Sequence, residues 1–87
     1  MPTFLVISNR IKPPEEAAKH REMHNEYMRK LKECGKLEMG SRFTDGKGGF
    51  YILNASSLGE AESLAKGDPY HMNGVREYNL KEFERRL

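Results

Sequence analysis

The sequence predicts an α+β domain of ferredoxin-like βαββαβ order: an antiparallel sheet carrying two helices on one face. Three observations predict it. Short β-branched and aromatic runs stand near the start and the middle of the chain, two helical stripes each carry their own start signal, and a glycine-rich turn joins the middle strands. With 87 residues, 37% of them hydrophobic, the chain predicts one domain over residues 1–87, with a core thin enough to favour a partner surface.

Thr3 to Asn9 is the first strand, bounded by Pro2 and by Lys12-Pro13-Pro14. Phe4 and Val6 point one way and Leu5 and Ile7 the other, so both of its faces want cover. Pro13-Pro14 before Glu15-Glu16 starts the first helix, because proline loses no hydrogen bond there and acidic residues oppose the helix dipole. Gly35 ends it. Ala17, Arg21, His24, Met28 and Leu31 form its inward stripe, bordered by Tyr27 and Cys34.

Lys36 to Phe43 is the second strand, Thr44 to Gly49 the turn, and Phe50 to Ala55 the third strand, again apolar on both faces. Ser57-Leu58-Gly59-Glu60 is a capping box: the Ser57 hydroxyl accepts from the third helical amide and Glu60 reaches back. Leu58, Ala61, Leu64 and Ala65 supply the second helix's stripe, which ends near Gly67. Asp68-Pro69 repeats the start signal for one short turn from Tyr70 to Asn73. Val75 to Phe83 is the last strand, with an irregularity before Phe83, and Arg85-Arg86 is a frayed end. The sheet face away from the helices is left apolar, and a symmetric partner covers it most simply. We expect a homodimer through that open face.

Several function classes lose support. The formal charge is 15 − 13 = +2, and the two signs alternate without a long block, which offers nothing to nucleic acid or a membrane surface. The third strand lacks the aromatic pattern of RNA-binding sheets. No apolar run is long enough to span a bilayer, and the N-terminus lacks the pattern of a signal peptide. The single cysteine, Cys34, forms no internal disulfide and fits a reducing compartment, so a cytoplasmic location is expected.

His24 is the most informative polar residue, because it stands on an inward stripe where an apolar residue would pack without desolvation cost. A buried imidazole needs a partner, and one that titrates near neutrality can move protons. The competing reading is a structural histidine that ties two elements together. Asp68 is a suitable partner by type and also a good helix cap; sequence spacing alone does not bring it to His24. Ser8 and Arg10 end the first strand, where a hydroxyl and a guanidinium can meet an anionic or phenolic ligand. His20, His24, His71 and Glu22 do not make a metalloprotease pattern, so no metal is expected. Cys34 reads as an inert packing residue, Asp45 and the glycines of 46–49 as turn residues.

Two stretches resemble the YciI-like (YCII-related) proteins of the dimeric α+β barrel superfamily. The first is Arg21-x-x-His24-x-x-Tyr27 with Gly35 and Leu37; the second is Ser57-Leu58-x-x-Ala61 through Asp68-Pro69-Tyr70 to Gly74-Val75. The resemblance runs over nearly the whole chain. It implies a ferredoxin-like protomer paired through its sheet, with His24 and Asp68 together in a cleft as the catalytic pair. One branch of the family resembles cofactor-independent dehydrochlorinases of chlorinated hydroxyquinols. The sequence departs from the family at Gly40-Ser41, in the short hairpin of 44–49 and at Lys81-Glu82-Phe83, loops expected to shape the cleft mouth.

Together these features imply a small cofactor-independent enzyme in which His24, oriented by Asp68, moves a proton on a small polar molecule, phenolic or lactone, as a lyase, dehydrochlorinase or isomerase does. Ser8, Arg10 and Tyr70 are the candidate substrate-binding residues. The alternative is a non-catalytic ligand-binding or accessory dimer in which the His–Asp pair is structural. A regulatory protein docking through Arg21, Lys30 and Lys32 has little support.

Overall fold

A computed structural model describes all residues, Met1–Leu87. Its elements are β1 (Thr3–Arg10), α1 (Pro14–Ala18), α2 (Arg21–Glu33), β2 (Leu37–Gly40), β3 (Gly48–Asn54), α3 (Leu58–Lys66), α4 (Pro69–Met72) and β4 (Arg76–Phe83). The four strands form one antiparallel sheet in the order β2-β3-β1-β4, the ferredoxin-like order.

Strand alternation decides which side chains meet the helices. Phe4 and Val6 of β1 and Tyr51 and Leu53 of β3 are buried in one cluster with Leu31 of α2 and Ala61 and Ala65 of α3. The alanines let α3 lie close to the sheet, while each fully buried large side chain contributes about 1.5–3 kcal/mol of burial. On the opposite face Leu5 pairs with Ile52 and Ile7 with Phe50, and Leu5, Ile7, Phe43 and Phe50 line a shallow apolar hollow. The edge strand β4 adds Glu77, Asn79 and Lys81 to that face.

The first helical segment is two helices rather than one. Lys19 and His20 donate back to Glu16 and Ala17 in tight turns, and His20 leaves helical geometry at φ −112°, ψ 5°. The break reflects two packing targets: Ala17 joins a small cluster with Tyr70 and Val75, whereas Leu31 serves the main core. Cys34 is exposed and does not pack as expected. The second strand is shorter than expected, with an irregularity between Leu37 and Met39; beyond it only isolated bonds continue, such as Phe43 N–H to the Gly48 carbonyl at 2.8 Å.

The Ser57 hydroxyl accepts from the Glu60 amide at 3.1 Å as a cap should, but the Glu60 carboxylate reaches the Ser56 amide, at 2.7 Å, and not that of Ser57. Leu58 is exposed, because the cap turns it away from the sheet. Gly67 ends α3 where a Cβ would stand 2.5 Å from the Tyr27 hydroxyl, so close approach selects glycine there. β4 runs in regular register with β1 as far as Thr3 opposite Phe83, and the expected irregularity is absent. Phe83 therefore falls on the open face, away from Tyr78 and Leu80.

Candidate active site

Asp68 organises the polar interior. It is fully buried at the start of α4, with Pro69 filling the first helical position. Its Oδ1 accepts the Tyr70 amide at 2.9 Å, the capping bond, and also the His24 ring N–H from Nδ1 at 2.8 Å. Its Oδ2 accepts the Tyr51 hydroxyl at 3.1 Å. Burial alone would push the carboxyl up, but the hydrogen bond and charge of His24, the nearby His71 and the Tyr70 amide outweigh it and hold the carboxyl below its ordinary value. Burial, then the charge of Asp68, pushes the Tyr51 phenol up, so Tyr51 remains a neutral donor.

The carboxylate accepts only, so Nδ1 of His24 carries a proton, and Nε2 is the ring nitrogen left to accept or give one. Nε2 has no protein partner and is not among the buried unpaired atoms. Tyr70 stacks on the ring with centroids 4.3 Å apart, fixing its plane.

A second histidine lies deeper. His71 Nδ1–H donates to the Ala65 carbonyl at 2.7 Å, so Nε2 accepts the Ser8 hydroxyl, also at 2.7 Å. Burial lowers its pKa and keeps the ring neutral, although the Ala65 bond and the charge of Asp68 work the other way.

His24 opens on a cleft of about 500 Å³, walled by Arg10, Arg21, Arg42 and Arg76, with Tyr70 on its inner side. Ser41, Arg42 and Gly46 come from the β2–β3 connection, the loop expected to shape the mouth. Arg76 lies over the Tyr70 ring at 4.1 Å, a cation–π contact.

The profile of the YCII-related domain matches residues 1–84. The chain belongs to the YCII-related family. The uncharacterized protein YjpA of Bacillus subtilis (strain 168) is 31% identical over 84 residues, covering 97% of this chain and 96% of that protein. Among solved structures, a 5-chloro-2-hydroxyhydroquinone dehydrochlorinase (TftG) from Burkholderia phenoliruptrix AC1100, in complex with 2,5-dihydroxybenzoquinone, shares the fold with a TM-score of 0.80. It is 20% identical and covers 97% of this chain and 94% of its own.

Within this YCII-related fold His24 and Asp68 meet directly, although 44 positions separate them. Arg10 and Tyr70 reach the cleft. Ser8 does not: its side chain is fully buried and its hydroxyl is committed to His71, so the expected ligand contact is corrected to support from beneath. Sequence reasoning gave Tyr51 and Arg76 no place in the site and weighed His71 only as a metal ligand. Each carried a signal, since Tyr51 and Arg76 alternate with apolar residues of buried strand faces and His71 follows a buried cap by three positions. A polar group on such a face needs a partner.

Proposed function

We propose that this protein is a small enzyme that transfers protons on a compact polar ring, phenolic or lactone, with His24 as general base and acid. One observation carries the reading: Asp68 holds Nδ1 of His24 from below while Nε2 opens on a cleft of ligand size. Asp68 fixes the tautomer and stabilises the imidazolium that forms when Nε2 takes a proton. The fold shared with a dehydrochlorinase bound to a dihydroxyquinone supports a ring substrate. For a halogenated hydroxyquinol, a ring hydroxyl gives its proton to Nε2, and His24 returns it to the ring carbon that bears chlorine. A second hydroxyl then loses its proton as chloride leaves with the C–Cl electron pair, so the net change is loss of hydrogen chloride and formation of a hydroxyquinone. A second copy of the chain is the partner we propose for the apolar sheet face.

The test is turnover of chlorinated hydroxyquinols and lactones, followed by chloride release and product chromatography, with His24→Ala alongside. The variant should lose at least about 100-fold in kcat while keeping its circular dichroism spectrum. A folded variant with retained turnover overturns the assignment. The structural reading also has an observation in its favour, because Asp68 ties His24, Tyr51 and α4 together. It predicts instead that His24→Ala melts far below the parent and that no small molecule shifts either melting temperature.

A further inference from the structure

The cleft is lined by four guanidinium groups and by no carboxylate. None of Arg10, Arg21, Arg42 and Arg76 belongs to an ion pair, whereas Lys19, Arg29, Lys36 and Arg86 all have acidic partners elsewhere on the surface. Asp68 lies behind His24 and does not line the cleft; its oxygens already serve His24, Tyr51 and the Tyr70 amide.

Arg10 and Arg76 are the sharpest case. They stand directly opposite each other in the β1–β4 register, on the face that bears Val6 and Ser8. Like charges in directly opposed positions repel. Asp68 behind the cleft and the Tyr70 ring offset part of this at Arg76, but neither guanidinium is in an ion pair. The Nε atoms of these two residues are the buried side-chain polar atoms left without a partner. Arg10 spends one N–H on the Lys12 carbonyl at 3.0 Å, while Arg76 is held only by the face of Tyr70. Buried polar groups are normally satisfied. Both residues line the cleft and, beyond the Arg10 bond to Lys12, their guanidinium nitrogens have no protein acceptor, which suits a two-oxygen anion. Tyr70 contacts both His24 and Arg76, which sets the anion's position relative to the base.

We propose that the cleft selects a small molecule bearing a permanent oxyanion, a carboxylate or a phosphate, clamped between Arg10 and Arg76, with its reacting group at Nε2 of His24. Arg21 and Arg42 at the wall draw it in. The proposal rests on His24 as the proton-transfer residue and narrows the substrate to a ring acid or ring phosphate; a neutral phenol or lactone brings no ion-pair partner to either guanidinium.

The experiment is calorimetry and thermal shift on the intact protein at low and high salt, with three probes: 2,5-dihydroxybenzoate, neutral hydroquinone and inorganic phosphate. At low salt 2,5-dihydroxybenzoate or phosphate should bind at least about 10-fold more tightly than hydroquinone and lose affinity as salt rises. Preference between the two anions assigns the clamp to carboxylate or to phosphate, and either supports it. Arg10→Gln and Arg76→Gln should each weaken the anion about 10-fold or more, as loss of one charged hydrogen-bonding group does. Folded His24→Asn should retain anion binding, which separates this proposal from the acid–base reading. Equal binding of 2,5-dihydroxybenzoate and hydroquinone with no response to phosphate overturns the proposal, as does unchanged anion affinity in both arginine variants. The probe comparison needs only the parent chain and decides the matter even where an arginine variant fails to fold.

Discussion

One carboxylate oxygen, Asp68 Oδ1, caps α4 and holds His24 at the same time. The cap and the partner are one arrangement, because the short turn that needs the cap also carries the carboxylate to α2. Protonation of this network has a definite sign. His71 is pushed below its ordinary value of 6.5, so between its folded and unfolded values the unfolded chain binds more protons. Its contribution is complete above 6.5 and is lost as the pH falls towards the folded value. Asp68 is held below 3.8, so its contribution is complete above that value and is lost on further acidification through its folded value. Melting temperature should therefore fall in two stages from neutral pH downward, and His71→Gln should remove the first. A flat melting profile from about pH 8 to pH 5 would count against the neutral, buried His71.

Among the elements, the hairpin between β2 and β3 is where glycine is indispensable. Gly48 adopts φ +139°, and a Cβ there would collide with the Ser8 carbonyl of β1. A side chain must strain the backbone and push β1 and β3 apart beside the cleft. Gly48→Ala should cost about 2 kcal/mol or more in urea unfolding, with the midpoint lowered and the slope unchanged. Gly46→Ala meets no atoms within 4 Å and carries only the cost of its positive φ, so it should cost less. Equal losses at the two positions would refute the steric account.

For the whole molecule, the open face of the sheet sets the expected behaviour. Leu5, Ile7, Phe50 and Ile52 form an apolar centre on a face that no helix of the protomer covers. A second copy would bury it with two-fold symmetry. Light scattering should give twice the 10.1 kDa chain mass, and Phe50→Glu should return it to the monomer mass. A monomer at about 100 μM, far above the Kd of a stable dimer, would overturn the pairing.

By itself the sequence determined the strand and helix order, the caps at Ser57 and Asp68 and the inward place of His24, since these rest on local periodicity, backbone preference and the cost of a polar group on an apolar stripe. Tertiary structure alone decided the break at His20, the removal of Ser8 from the cleft and the placing of Arg10 opposite Arg76, while the meeting of His24 and Asp68 followed from the family resemblance and not from their spacing. The reason is physical. Periodicity reports which way a side chain faces, but distance across a sheet depends on strand order and register, which only packing the apolar faces together fixes.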